Sequence, residues 1–181
     1  VQKGDLQLFQ DAPHFVQTVK ERHMKRRTAI FGALSTLALT QALRAASDAG
    51  EEVFEITRSD QEWRAMLSDM EYNVMRKEGT ERAFTSPLDE NYADGMYHCR
   101  GCDLPLYSSE HKYNSGTGWP SFWQAQENAV ATKEDRKFFM VRTECHCRRC
   151  GSHLGHIFDD GPQPTGKRHC INGVSLVFKP A

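Results

Sequence analysis

Residues 147–176 read CRRCGSHLGHIFDDGPQPTGKRHCINGVSL. A C-x-x-C pair, Cys147 and Cys150, opens the stretch, and a lone cysteine, Cys170, sits near its end. A two-residue spacer lets one tight turn aim two sulfurs at one ion. The same spacing occurs upstream at Cys99-Arg100-Gly101-Cys102. Two such turns supply the tetrahedral thiolate set that zinc prefers, and a closed four-sulfur site is structural because it keeps no position open for substrate. The 44 residues between the pairs exceed a minimal zinc ribbon, so the clip is expected to tie two distant loops around an inserted body. Arg100, Arg148 and Arg149 flank the ligands and are expected to offset the excess thiolate charge. Two disulfides compete with this reading, as does a thioredoxin-like role, although neither pair opens a helix in a βαβ context.

Outward from the clips the chain is crowded with turn signals: SPLDENYADG, YNSGTGWP and DDGPQPTG. Between them lie short runs suited to strands, namely MYHC, LPLYS, KFFMVRTECHC and CINGVSLVFK. Two helices are expected before them, over about 60–67 and 69–78. Ser59 with Glu62, and Ser68 with Glu71, have the spacing of a capping box. Trp63, Met66 and Leu67 share one helical face, and Gly79 suits a C-cap. The expected fold is mainly β, with two short helices at its N-terminal edge.

A chain of 181 residues with 39% hydrophobic and 26% charged residues suits one domain with a real core. The net charge of −1 argues against a general nucleic-acid binder. Six cysteines are too few for a disulfide scaffold but enough for a metal site plus redox chemistry. Residues 51–181 are assigned to the domain. Residues 24–50 open with Met24-Lys25-Arg26-Arg27, continue through a mildly apolar run from Ala29 to Leu43, and reach small residues at Ala45, Ala46 and Ser47. That pattern suits a twin-arginine-type export signal with its cleavage region, hence a periplasmic location, with cytoplasmic as the alternative. Residues 1–23 are then an extension before the true start. A membrane span is disfavoured by Ser35, Thr36, Thr40 and Gln41, while a core helix leaves the basic residues unexplained.

The segments GMYHCRGCDLPLY, SGTGWPSFW and CRRCGSHLGHIFDDGPQPTGKRHCINGVSLVF, with GTER after the helices, resemble the B-type methionine sulfoxide reductases. These enzymes are specific for the R epimer, and the resemblance spans about residues 56–180. It implies two antiparallel sheets forming a small barrel-like β body. It implies that His153, His156 and Asp160 belong to the active-site network and that Trp119 walls a methyl pocket. The residues fit that chemistry: a soft Cys170 thiolate to attack sulfur, and a proton donor for the oxygen. In an extended RHCIN, Arg168, Cys170 and Asn172 share a face. Arg168 is expected to lower the Cys170 pKa, and Asn172 to orient substrate or water. His153 and His156 do not share a face in a flat strand, though Gly155 can bend one. His156 is favoured as proton donor and His153 as organiser.

By the same resemblance, many relatives place a resolving cysteine where this chain has Thr117. Cys145 is left as a resolver, a bystander beside zinc or a packed residue. The alternative is direct reduction of a Cys170 sulfenic acid by a thioredoxin-like donor. The expected partners are oxidised proteins and that donor, without nucleic acid or stable membrane insertion, the chain acting as a monomer. The rival classes are a zinc-ribbon interaction module and a thiol oxidoreductase acting on disulfides.

Overall fold

The computed structural model describes residues 52–137 and 140–181, which form the compact unit beginning at Glu52. The readings of residues 1–23 and 24–50 fall outside the described residues. Among the described residues no helix is long and apolar enough to cross a membrane.

Both capping boxes form. Ser59 Oγ accepts from the Glu62 amide at 3.3 Å, and the Glu62 carboxylate accepts from the Ser59 amide at 2.8 Å, starting α1, Asp60–Met66. Ser68 and Glu71 repeat the exchange at the start of α2, Asp69–Lys77. Met66 departs from expectation: it is exposed, so α1 buries Trp63, with the C-cap residue Leu67 buried one turn later. The C-cap also differs, because Glu78, not Gly79, takes the left-handed conformation, with φ of 56°.

Among the described residues nine strands follow: β1, Gly95–Cys99; β2, Pro105–Ser108; β3, Lys112–Tyr113; β4, Ser121–Phe122; β5, Val130–Asp135; β6, Arg142–Cys147; β7, His153–Phe158; β8, Arg168–Ile171; and β9, Leu176–Pro180. They make two antiparallel sheets, ordered β2-β1-β9 and β3-β4-β8-β7-β6-β5. Both orders are open, so the small β body is not a closed barrel. The core holds Tyr97, Leu106, Tyr107, Phe122, Leu154, Ile171 and Leu176, with Tyr107 stacked on Phe122 at 4.4 Å between ring centroids.

The run CINGVSLVFK is not one strand. It leaves the six-stranded sheet at Ile171, passes a 3-10 turn at Gly173–Ser175, and enters the three-stranded sheet at Leu176. A distant residue stabilises that break. The buried Glu81 carboxylate accepts from the Gly173 and Val174 amides, while the Glu81 amide donates to Asn172 Oδ1 at 3.0 Å. Gly173 is required there, because a Cβ would lie 1.8 Å from Ser86 Oγ.

Candidate active site

The four clip cysteines converge. Their sulfurs lie within 4.8 Å of one another, with separations of 3.7 Å for Cys99–Cys150 and 3.5 Å for Cys102–Cys147. A zinc–thiolate bond of about 2.3 Å gives a tetrahedron with edges of about 3.8 Å, so the donor set fits zinc. A disulfide would require about 2.05 Å, and all six cysteines are free thiols. The two turns are built alike. The Cys99 and Cys147 carbonyls accept from the amides four residues on, those of Asp103 and Gly151, at 2.8 and 2.9 Å. Asp103 and Gly151 both take positive φ, 61° and 67°.

Of the flanking arginines, Arg148 interacts electrostatically with Cys147 and Cys102, as expected. Arg100 is also held by Glu71 at 2.9 Å, and Arg148 and Arg149 both reach Glu55. Arg58 and Arg76 approach the turns as well. They donate to the Gly101 and Cys150 carbonyls at 3.3 and 3.2 Å, and both guanidinium groups stack on the Trp63 ring. Trp63 thereby links α1 to the clip.

Strand pairing sets the reactive face. Ser121, Cys170, His156 and Glu144 pair in register across β4, β8, β7 and β6, so their side chains share one side of the sheet. His153 joins them through a bulge. His146 pairs with His153 and Cys145 with Gly155, which leaves Leu154 as the extra residue. The inserted residue shifts the alternation, so His153 and His156 come to one face with ring centroids 5.5 Å apart. Gly155 permits the distortion, since a Cβ would lie 2.0 Å from the Cys170 carbonyl oxygen.

Cys170 opens into a cavity of about 130 Å³ lined by Thr80, Trp119, Arg142, His156, Phe158 and Asn172. Larger hollows of about 420 and 440 Å³ lie elsewhere but contain no cysteine, and the assignment therefore follows the nucleophile. Trp119 is fixed as a wall by its indole N–H, which donates to the Glu81 carbonyl at 3.1 Å. Phe158 is half-buried and lines the cavity beneath Arg168, whose guanidinium lies 4.4 Å from the ring.

The expected lowering of the Cys170 pKa is not found. Burial pushes the thiol up, and the Thr117 hydroxyl and Arg168 guanidinium pull it only part of the way back. Thr117 Oγ1 lies 3.9 Å from Cys170 Sγ and 2.8 Å from Ser115 Oγ, which in turn is 2.7 Å from Ser121 Oγ. Arg168 is held by Asp160 through two bonds of 2.8 and 2.9 Å. Asp160 is exposed; it orients Arg168, and its charge also opposes ionisation of Cys170.

Asn172 is placed otherwise than the strand reading implied. It is buried, accepts from the Glu81 amide, and donates Nδ2–H to the Leu154 carbonyl at 2.9 Å. It braces the bulge that aligns the histidines. Asn172→Ala strips both contacts and leaves the Glu81 amide unpaired. The expected cost is about 1–3 kcal/mol, read as a lower denaturant midpoint at unchanged slope.

Cys145 does not approach Cys170. It pairs in the neighbouring row, faces the core, and lies against the Tyr107 hydroxyl at 3.5 Å, where burial pushes its pKa up to about 12. Three site residues escape a reading by motif. Asp135 accepts from His156 Nε2 at 2.8 Å and from Arg142 at 2.6 Å. Glu144 binds His153 and His146. Hydrogen bonds from His156 above all hold the Asp135 carboxyl well below the usual range, while burial lowers the His156 pKa against the pull of Asp135.

Fold and site together define a cysteine-centred β domain closed by a four-sulfur metal clip. The model of the SelR domain family matches residues 67–180, and the chain belongs to that family. It is 52% identical over 124 residues to the peptide methionine sulfoxide reductase MsrB of Thiobacillus denitrificans, covering 68% of this chain and 94% of that protein. It is 51% identical over 125 residues to the MsrB of Methanosarcina barkeri, covering 68% and 88%. It is 47% identical over 127 residues to the MsrB of Leptospira interrogans, covering 70% and 97%.

Proposed function

We propose that this chain is a peptide-methionine (R)-S-oxide reductase in which Cys170 is the nucleophile. The observation that carries the reading is the register of Cys170 against His156 at a small aromatic-walled cavity, in a chain of the SelR domain family. The cavity admits the end of a side chain rather than a drug-sized ligand, which suits oxidised methionine in a polypeptide.

Because Cys170 rests as a thiol, its activation falls to the neighbouring base. Ionised Asp135 accepts His156 Nε2–H, which leaves Nδ1 of the neutral imidazole free to take the Cys170 proton. The Cys170 sulfur attacks the sulfoxide sulfur as His156 passes that proton to the oxygen. The oxygen ends on Cys170, giving a sulfenic acid and methionine. Arg168 stabilises the developing thiolate, Trp119 walls the methyl group and His153 organises water or substrate. Two thiol equivalents of a thioredoxin-like donor return the sulfenic acid to thiol, releasing water and forming the donor's disulfide. The placement of Cys145 on the core face supports direct reduction over an internal bridge. The clip sulfurs would hold zinc as a structural ion.

This assignment predicts the acid limb of the pH profile. His156 has a folded pKa below the ordinary imidazole value of 6.5, so it stays a neutral base as pH falls through that value. Activity is expected to persist below pH 6.5 and to be lost only as pH drops through the lowered pKa, and His156→Asn should remove that limb. The function itself is tested with a peptide carrying both sulfoxide epimers. The R epimer should be consumed and the S epimer should persist; equal consumption, or disulfide reduction alone, refutes the reading. Residues 24–50 are proposed as an export signal to the periplasm, tested by mapping the mature N-terminus.

A further inference from the structure

One buried acid behind the site is unused by the steps above. Glu144 is 2% exposed and lies between two imidazoles. Its Oε1 is 2.5 Å from His153 Nδ1, and its Oε2 is 2.8 Å from His146 Nδ1. Despite burial, which raises a carboxyl, the two imidazole bonds hold the Glu144 pKa down to about 2, so it is ionised. An ionised carboxylate only accepts, so both Nδ1 atoms must carry hydrogen. His153 Nε2 is therefore the nitrogen left open. It is buried, and among the described residues it has no hydrogen-bond partner. His146 has Nε2 3.0 Å from Glu52 without a formed hydrogen bond, and its ring lies against the edge of Phe54.

We infer that Glu144 is a positioning residue, which locks His153 in the Nδ1–H form and keeps Nε2 as an acceptor beside the His156 ring. The inference rests on the proposed reductase reading for its catalytic meaning. With hydrogen on Nδ1 alone, His153 offers one lone pair in one place, to a water or to the hydroxyl formed on the sulfoxide oxygen. The opposite tautomer would present an N–H there and would leave Nδ1 unable to donate to Glu144. Glu144 is also the direct cross-strand neighbour of His156, so its charge stands behind the imidazolium that forms when Cys170 gives up its proton.

The test uses the full chain with its metal. Imidazole ¹⁵N shifts of the resting protein should show His153 protonated at Nδ1 and bare at Nε2. In Glu144→Gln one of the two acceptor oxygens becomes an NH2 donor, so the paired Nδ1–H acceptors are no longer both available, and the His153 signal should move toward the other tautomer or reorient. Single-turnover oxidation of Cys170 should fall about 10- to 100-fold, with KM for the sulfoxide peptide little changed, and Glu144→Asp should restore part of the rate. Wild-type His153 protonated at Nε2, whether alone or together with Nδ1, overturns the inference, whatever the variant does. So does a Glu144→Gln protein that turns over at the wild-type rate. Failure of the reductase reading looks different: the wild-type protein would not consume the R epimer, while the tautomer measurement would still stand.

Discussion

Cys170→Ser is expected to abolish reduction of methionine-R-sulfoxide while leaving the fold and the metal in place. Oxygen replaces sulfur at a half-buried position whose side chain makes one long contact, to Thr117, so little packing is lost. The chemical loss is large, because a hydroxyl is neither ionised at neutral pH nor soft enough to attack sulfur. Removal of a nucleophile lowers turnover on the order of 10⁴-fold or more, which is about 5.5 kcal/mol or more of lost transition-state stabilisation. Steady-state assay of the R epimer, with circular dichroism and metal content measured on the same sample, checks the prediction. Full activity in this variant would refute the mechanism.

Metal removal is expected to unfold the domain rather than merely slow it. The clip joins the end of β1, in the three-stranded sheet, to the end of β6, in the six-stranded sheet. A structural zinc site contributes on the order of 10 kcal/mol to folding, comparable with the whole stability of a domain, about 5–15 kcal/mol. Without the ion, three largely buried thiols and Cys102 must be reprotonated or left facing one another. Cys147→Ser or a strong chelator should release a single zinc ion per chain, erase the near-UV signal of the packed aromatics and abolish activity. Zinc returned under reducing conditions should restore all three. A chelated protein that kept its near-UV signal would show that the clip is not structural.

Local signals in the sequence were legible because their causes are local. Ser59 with Glu62, and Ser68 with Glu71, set both helix starts, and the two C-x-x-C turns determine where four sulfurs point. Cys170 and Trp119 were legible by family resemblance, and they lie at one cavity. What escaped depends on partners far along the chain. The break after Ile171 is held by Glu81, and no period in CINGVSLVFK carries that information. Asn172, expected to orient substrate or water, lines the cavity and also braces the bulge through partners far along the chain. The shared face of His153 and His156 comes from an unpaired Leu154, a matter of register between strands rather than of either strand alone. Strand β5, VATKED, runs into four consecutive polar residues with no apolar alternation, yet it supplies Asp135. The Cys170 pKa was misjudged because Arg168 is visible in the sequence while burial is not.

Oxidation of the reduced, metal-loaded protein by one equivalent of methionine-R-sulfoxide, followed by mass mapping and a thiol count, tests the central claim most directly. The account predicts one oxygen on the Cys170 peptide, trapped as the sulfenic acid, one equivalent of methionine, and the other five cysteines still reduced. A Cys145–Cys170 disulfide, or oxygen on any other cysteine, would contradict it.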